Sequence, residues 1–219
     1  MSSSQIESGK VCPEFWTDQW EHIRDPHVAS LNALVDDLGE NETGGHAPYI
    51  APWYVGTSAP ILALLRDPGP GADDSSGSGF LCTHNDDETS RRQQRFMRAA
   101  GIDPRSVLPW NAYPWYVNRK PTKTELREGT EPLRRLIDLM PELRMVLVHG
   151  GDAHQGWSLF LQAHGDEIAR REIRWIETIH PSQGALRHPD PAVRKARELS
   201  LANAYALARS VVNTGAARP

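Results

Sequence analysis

Four short apolar runs, each closed by a polar or glycine-rich stretch, fix most of what this chain can become. They are "PILALL" (60–65), "SVLPWN" (106–111), "MVLVHG" (145–150) and "IRWIETI" (173–179). Bounded runs of this length read as buried strands. Between them lie segments with apolar residues at helical spacing. Residues 88–100 carry Phe96, Met97 and Ala100; 122–140 hold a turn, then a helix with Leu133, Leu136, Ile137 and Met140; 152–165 carry Ala153, Trp157, Phe160 and Leu161. Two further helices are marked by their starts. One spans 25–39, with Asp25 as N-cap, Pro26 at the first helical position and Gly39 as stop; the other runs from Asp190-Pro191 to about residue 210. Strands that alternate with helices pair in parallel, because each crossover returns the chain in the same direction and lays a helix on the sheet. The expected fold is therefore α/β: a three-layer α/β/α sandwich around a central, mainly parallel four-stranded sheet. Residues 1–25, polar with scattered aromatics, read as a loose N-terminal arm, and 26–213 as one domain.

Open parallel sheets bind ligands beyond the carboxyl ends of their strands. Every unusual motif falls there: "RDPGPG" after the first strand, "WNAYPW" after the second, "HGGD" after the third and "HPSQG" after the fourth. In "RDPGPGADDSSGSGF", Asp67 stands at a strand terminus, and Gly69 and Gly71 leave room for close backbone approach, although Asp, Pro and Gly also make an ordinary turn. Asn111 offers one acceptor and two donors, enough to read a base edge, or serves as a turn residue beside aromatics. His180 can donate one hydrogen bond as a neutral ring while backbone fixes the other nitrogen, or fill a structural place. Phe80 can stack on a planar ligand or pack in the core.

Several chemistries are disfavoured. No Gly-Lys-Ser/Thr follows the glycine-rich loop, its glycine spacing does not fit a dinucleotide fingerprint, and no Gly-x-Ser-x-Gly elbow occurs. His149, Asp152 and His154 lie close in sequence but match no common metal-ligand spacing, so neither a metal nor a cofactor is expected. Cys12 and Cys82, the only cysteines, cannot supply the four thiolates of an iron–sulfur cluster. The formal net charge of -4 argues against nonspecific coating of nucleic acid. Local basic runs remain, "TSRRQQRFMR" (89–98) and "RKAR" (194–197), which either face phosphate or form solvated helix faces. No membrane-spanning run and no secretory start are present, so a cytoplasmic, monomeric protein is expected.

Asp67-Pro68, Gly79-Phe80, Asn111 after a strand and His180-Pro181-Ser182, in that order across about residues 55–210, resemble the uracil-DNA glycosylase superfamily. The resemblance implies a DNA glycosylase that hydrolyses the N-glycosidic bond of uracil or a related damaged base, with damaged DNA as its partner. Asp67 then matches the carboxylate that positions water beneath the sugar cation. Phe80 matches the aromatic under the extruded base, Asn111 the amide reading its edge, and His180 the donor to the base carbonyl. Ser182, Gln183, Gly184, Leu186 and Arg187 match the loop that contacts the DNA backbone or wedges into the stack. The sequence departs from the pattern in two places. Gly69 stands where the uracil-specific branch has Tyr, and Leu186 comes later than the usual wedge leucine. A binding module without catalysis and an N-glycosidase of free nucleosides are the alternatives.

Overall fold

The computed structural model describes residues 13–41, 45–73 and 77–215. In chain order the helices and strands are α1 (Pro13–Glu21), α2 (Ala29–Leu38), β1 (Tyr49–Ile50), β2 (Ile61–Leu65), β3 (Phe80–Leu81), α3 (Glu88–Ala99) and β4 (Val107–Asn111). They continue with α4 (Lys123–Glu128), α5 (Thr130–Asp138), β5 (Met145–His149), α6 (Gly151–Arg170), β6 (Arg174–Thr178), α7 (Gln183–Leu186) and α8 (Pro191–Gly215). Strands β2, β4, β5 and β6 form one all-parallel sheet in the order β4-β2-β5-β6.

Side-chain alternation along the strands divides the core in two. Leu62, Leu64, Leu108, Trp110, Val146 and Val148 point to the face covered by α2, α5 and α6. Ile61, Ala63, Val107, Met145 and Leu147 point to the opposite face, where Phe96 and Met97 of α3 and Leu201, Ala204 and Tyr205 of α8 meet them. Helices therefore cover both faces, as the strand–helix alternation predicts.

The differences from the sequence-based expectation have local causes. The segment expected to be a loose arm contains α1; its first residues, 1–12, lie outside the described residues, and Cys12 with them. Helix α2 begins at Ala29, not at Asp25-Pro26, because the preceding residues close a turn in which Val28 N–H and Ala29 N–H both donate to the Asp25 carbonyl. The run 173–179 forms an edge strand, not a buried one: four of the five residues of β6 are at least partly exposed, Trp175 at 45 %. Arg174 and Glu177 place charge along that edge, which discourages pairing with another chain. Pro109 sits within β4, the other edge, where a missing N–H is tolerated. The two-residue parallel pair β1–β3 escapes prediction, since Tyr49 pairs with Phe80 across a long sequence separation.

Candidate active site

Beyond the carboxyl ends of β2, β4, β5 and β6 lies a cleft of about 840 Å³. Its lining includes Asp67 and Gly69 after β2, Asn111 at the end of β4, His149 at the end of β5 and Gly150 after it, and His180 and Ser182 after β6. The sheet ladder continues past the strands and fixes these ends against one another. Ala112 N–H donates to the Leu65 carbonyl at 2.8 Å and Tyr113 N–H to the Arg66 carbonyl at 3.0 Å, so the turn bearing Asp67 is tied to the chain leaving Asn111. Gly150 N–H donates to the Thr178 carbonyl at 2.8 Å, tying the β5 end to the chain that leads into His180.

Asp67 has a side chain only 4 % exposed, and Arg66 Nε–H donates to its Oδ1. Burial raises its pKa above the usual carboxylate range; the Arg66 contact opposes this, and the negative charge of Asp152 adds to the rise. Asp152, in the first turn of α6, also lines the cleft and pairs with Lys120 at 2.6 Å. Asn111 is 3 % exposed, and its Nδ2 has no hydrogen-bond partner. A buried amide donor without an acceptor is rare in folded proteins, and here it belongs to a residue that lines the cleft.

His180 is held as a neutral donor. Ser182 N–H donates to its Nδ1 at 3.1 Å, which leaves Nε2 as the protonated nitrogen. Burial pushes its pKa down to about 4, with the Arg66 charge acting in the same direction. Gly150 explains why the ring fits. Its φ of +88° suits glycine, and a Cβ there would lie 3.0 Å from His180 Cβ. The loop after His180 is tied down from two helices. Arg92 of α3 donates to the Pro181 carbonyl at 2.8 Å, and Arg197 of α8 donates to the Ala185 and Arg187 carbonyls at 3.0 and 2.9 Å.

Two expected residues are placed elsewhere. Phe80 is wholly buried and does not line the cleft. Helix α1 brings Trp16 parallel to its ring at a centroid distance of 6.1 Å and Trp20 to 4.6 Å, so its aromatic surface is already covered; the following residues Leu81, Cys82 and Thr83 line the cleft instead. Leu186 is 6 % exposed within the one-turn α7, so it is packed inward and not presented as a wedge. Gln183, Gly184 and Arg187 are exposed around it, while Ser182 caps α7 by accepting from Ala185 N–H.

Gly69 lies on the cleft with nothing within 4 Å of an added Cβ, and its φ of −83° is open to any residue. The "TSRRQQRFMR" arginines are largely engaged within the protein. Arg91 pairs with Asp86 at 2.6 Å, Arg92 with Glu88 at 3.0 Å, and Arg98 donates to Gln94 at 3.0 Å. His149 is fully buried beside Tyr205, and His154 bonds the Val148 and Thr178 carbonyls; among the described residues no His, Cys, Asp and Glu set is assembled to hold a metal.

Residues 52–205, most of the chain, match the family model of the uracil DNA glycosylase superfamily. The chain belongs to that superfamily. No curated protein gives a significant match to it. The superfamily span covers the whole parallel sheet and the cleft at its carboxyl end. Sequence reasoning overlooked Arg66 and Gln93, both on the cleft. For Gln93 a signal existed: it falls three and four residues before Phe96 and Met97, on the apolar stripe of α3.

Proposed function

We propose that this superfamily member is a DNA glycosylase that hydrolyses the N-glycosidic bond of uracil or a related deaminated or damaged base in DNA. One observation supports this reading above others: a buried carboxylate, an unpartnered amide and a neutral imidazole donor, Asp67, Asn111 and His180, line one cleft. Cleavage of the bond leaves a cationic sugar and an anionic base. Asp67, as a carboxylate, orients the attacking water and stabilises the cation; His180 Nε2–H donates to the base carbonyl as negative charge grows there. Asn111 takes the edge of a base that has left the stack, and the volume of about 840 Å³ leaves room for the attached sugar and phosphate. Exposed Gln183, Gly184 and Arg187 stand beside the cleft as backbone contacts. Arg66, 42 % exposed, adds positive charge at the rim for phosphate.

The test is direct. Duplex and single-stranded oligonucleotides carrying uracil, hypoxanthine, xanthine or 5-hydroxymethyluracil are incubated with the protein and then treated with alkali. Strand cleavage at the modified position is expected for at least one of them. A protein that binds these strands but leaves every base in place would be a binding module, and one that releases bases from free nucleosides alone would be a nucleosidase.

A further inference from the structure

A second carboxamide shares the cleft with Asn111. Gln93 of α3 is 4 % exposed, lines the cleft, and its Oε1 has no hydrogen-bond partner. The neighbouring Gln94 shows what a structural glutamine does here: its Nε2 donates to the Thr83 carbonyl at 2.7 Å. Gln19, equally buried, accepts from Trp53 N–H at 2.7 Å. Gln93 makes no such bond, so it bears the cost of desolvation without the return that an acceptor normally gains.

Its place in the fold sets what it can meet. Alternation along β4 sends Val107, Pro109 and Asn111 to the face covered by α3 and α8, and Val107 shares a core with Phe96 and Met97. Gln93 stands one turn before those two residues. Asn111 at the end of β4 and Gln93 on α3 thus both line the cleft, and each leaves one buried amide atom without a partner, a donor on Asn111 Nδ2 and an acceptor on Gln93 Oε1.

We propose that Gln93 is a second base-reading residue, and that its carboxamide oxygen selects bases that present a lactam N–H. The inference rests on the glycosylase reading above. Deamination of cytosine and of adenine creates such a group, which thymine and guanine already carry. Cytosine and adenine carry a bare ring nitrogen on the edge where uracil and hypoxanthine carry N–H. An acceptor fixed by burial welcomes the second pair and leaves a lone pair facing a lone pair with the first.

The experiment compares the parent with Gln93→Leu, which keeps the bulk and removes the amide. Single-turnover rates are measured on uracil, hypoxanthine and xanthine DNA, together with affinity for DNA bearing a tetrahydrofuran abasic site and the thermal midpoint. Expected are a slowing of about 10- to 100-fold on the parent's preferred base, unequal slowing among the bases, unchanged affinity for the baseless DNA and no fall in thermal midpoint. Rates within threefold of the parent on every base overturn the inference and leave the glycosylase reading intact. Equal slowing on all bases with a lowered midpoint overturns it too, since that is the mark of a structural role. A parent inactive on every base overturns the glycosylase reading itself, and the inference with it.

Discussion

In the proposed reaction the decisive charge falls on one side chain, Asp67. The group must be ionised to act, yet burial opposes ionisation and Arg66 counters burial. Asp67→Asn removes a charge that matters chiefly in the transition state, so the single-turnover rate should fall about 10²–10³-fold while DNA affinity changes little. Rates within threefold of the parent would remove Asp67 from the reaction. Arg66→Ala takes away the main force lowering the Asp67 pKa. That pKa rises further, so the acid limb of the pH–rate profile should move to higher pH; an unmoved limb would mean that Asp67 does not set it. Gly69 bears on selectivity instead. Its empty surroundings accept a larger residue without strain, so Gly69→Tyr should fold normally and lose a 5-substituted pyrimidine in preference to uracil, by roughly 10- to 100-fold. Equal loss on both bases would show that the ring merely blocks the cleft. Asp67 and Gly69 were legible as cleft residues because both follow the end of β2 among turn formers, whereas Arg66 carries no such mark. Phe80 was misplaced because a sequence does not show which side of a two-residue strand faces the ligand, nor that Trp16 and Trp20 would cover it.

At the level of elements, the long features were readable and the short ones were not. Strands β2, β4 and β5 are buried along nearly their whole length, so composition alone marks them. Strands β1 and β3 exist only through each other, and α1 is nine residues long, too short for the i, i+4 pair Trp16 and Trp20 to stand out as a helical repeat. The His180 loop shows how elements cooperate: Gly150, between β5 and α6, lies against the side chain, while α3 and α8 hold the loop carbonyls through Arg92 and Arg197. The "TSRRQQRFMR" and "RKAR" runs, which resemble phosphate-binding patches, thus contribute arginines that position a loop. Gly150 has φ +88° and ψ 159°, a region closed to other residues. Gly150→Ala should cost about 1–3 kcal/mol of stability and displace His180 as well, so the base-release rate should fall more steeply than the folded population. Denaturant unfolding alongside single-turnover kinetics separates the two effects. A variant of reduced stability but normal rate would show that the ring is positioned without Gly150.

Across the whole molecule, the strand ends that build the cleft also bury imidazoles, and this makes the fold sensitive to acid. His180 and His84 have their pKa values pushed down to about 4 and His149 to about 3, in each case chiefly by burial. The nearby positive charges, Arg66 for His180 and Arg98 for His84, add to the effect. In the unfolded chain these rings titrate near 6.5. Above that pH both states hold them neutral, and their contribution to stability is complete. As pH falls from 6.5 towards 4 the unfolded chain takes up protons that the folded one refuses. Each such proton steepens the loss by about 1.4 kcal/mol per pH unit. Stability should therefore decline well before the ordinary carboxylates titrate, and faster than one group allows. Urea unfolding at pH 7.5, 6.0 and 5.0 measures that slope directly. His84→Phe, which removes a wholly buried ring nitrogen that has no partner, should flatten it by one proton's worth without touching His180. A stability unchanged between pH 7.5 and 5.0 would mean that these rings stay accessible to protons in the folded state. In that case the neutral imidazole on which the proposed donor role of His180 depends would not persist below pH 6.5 either.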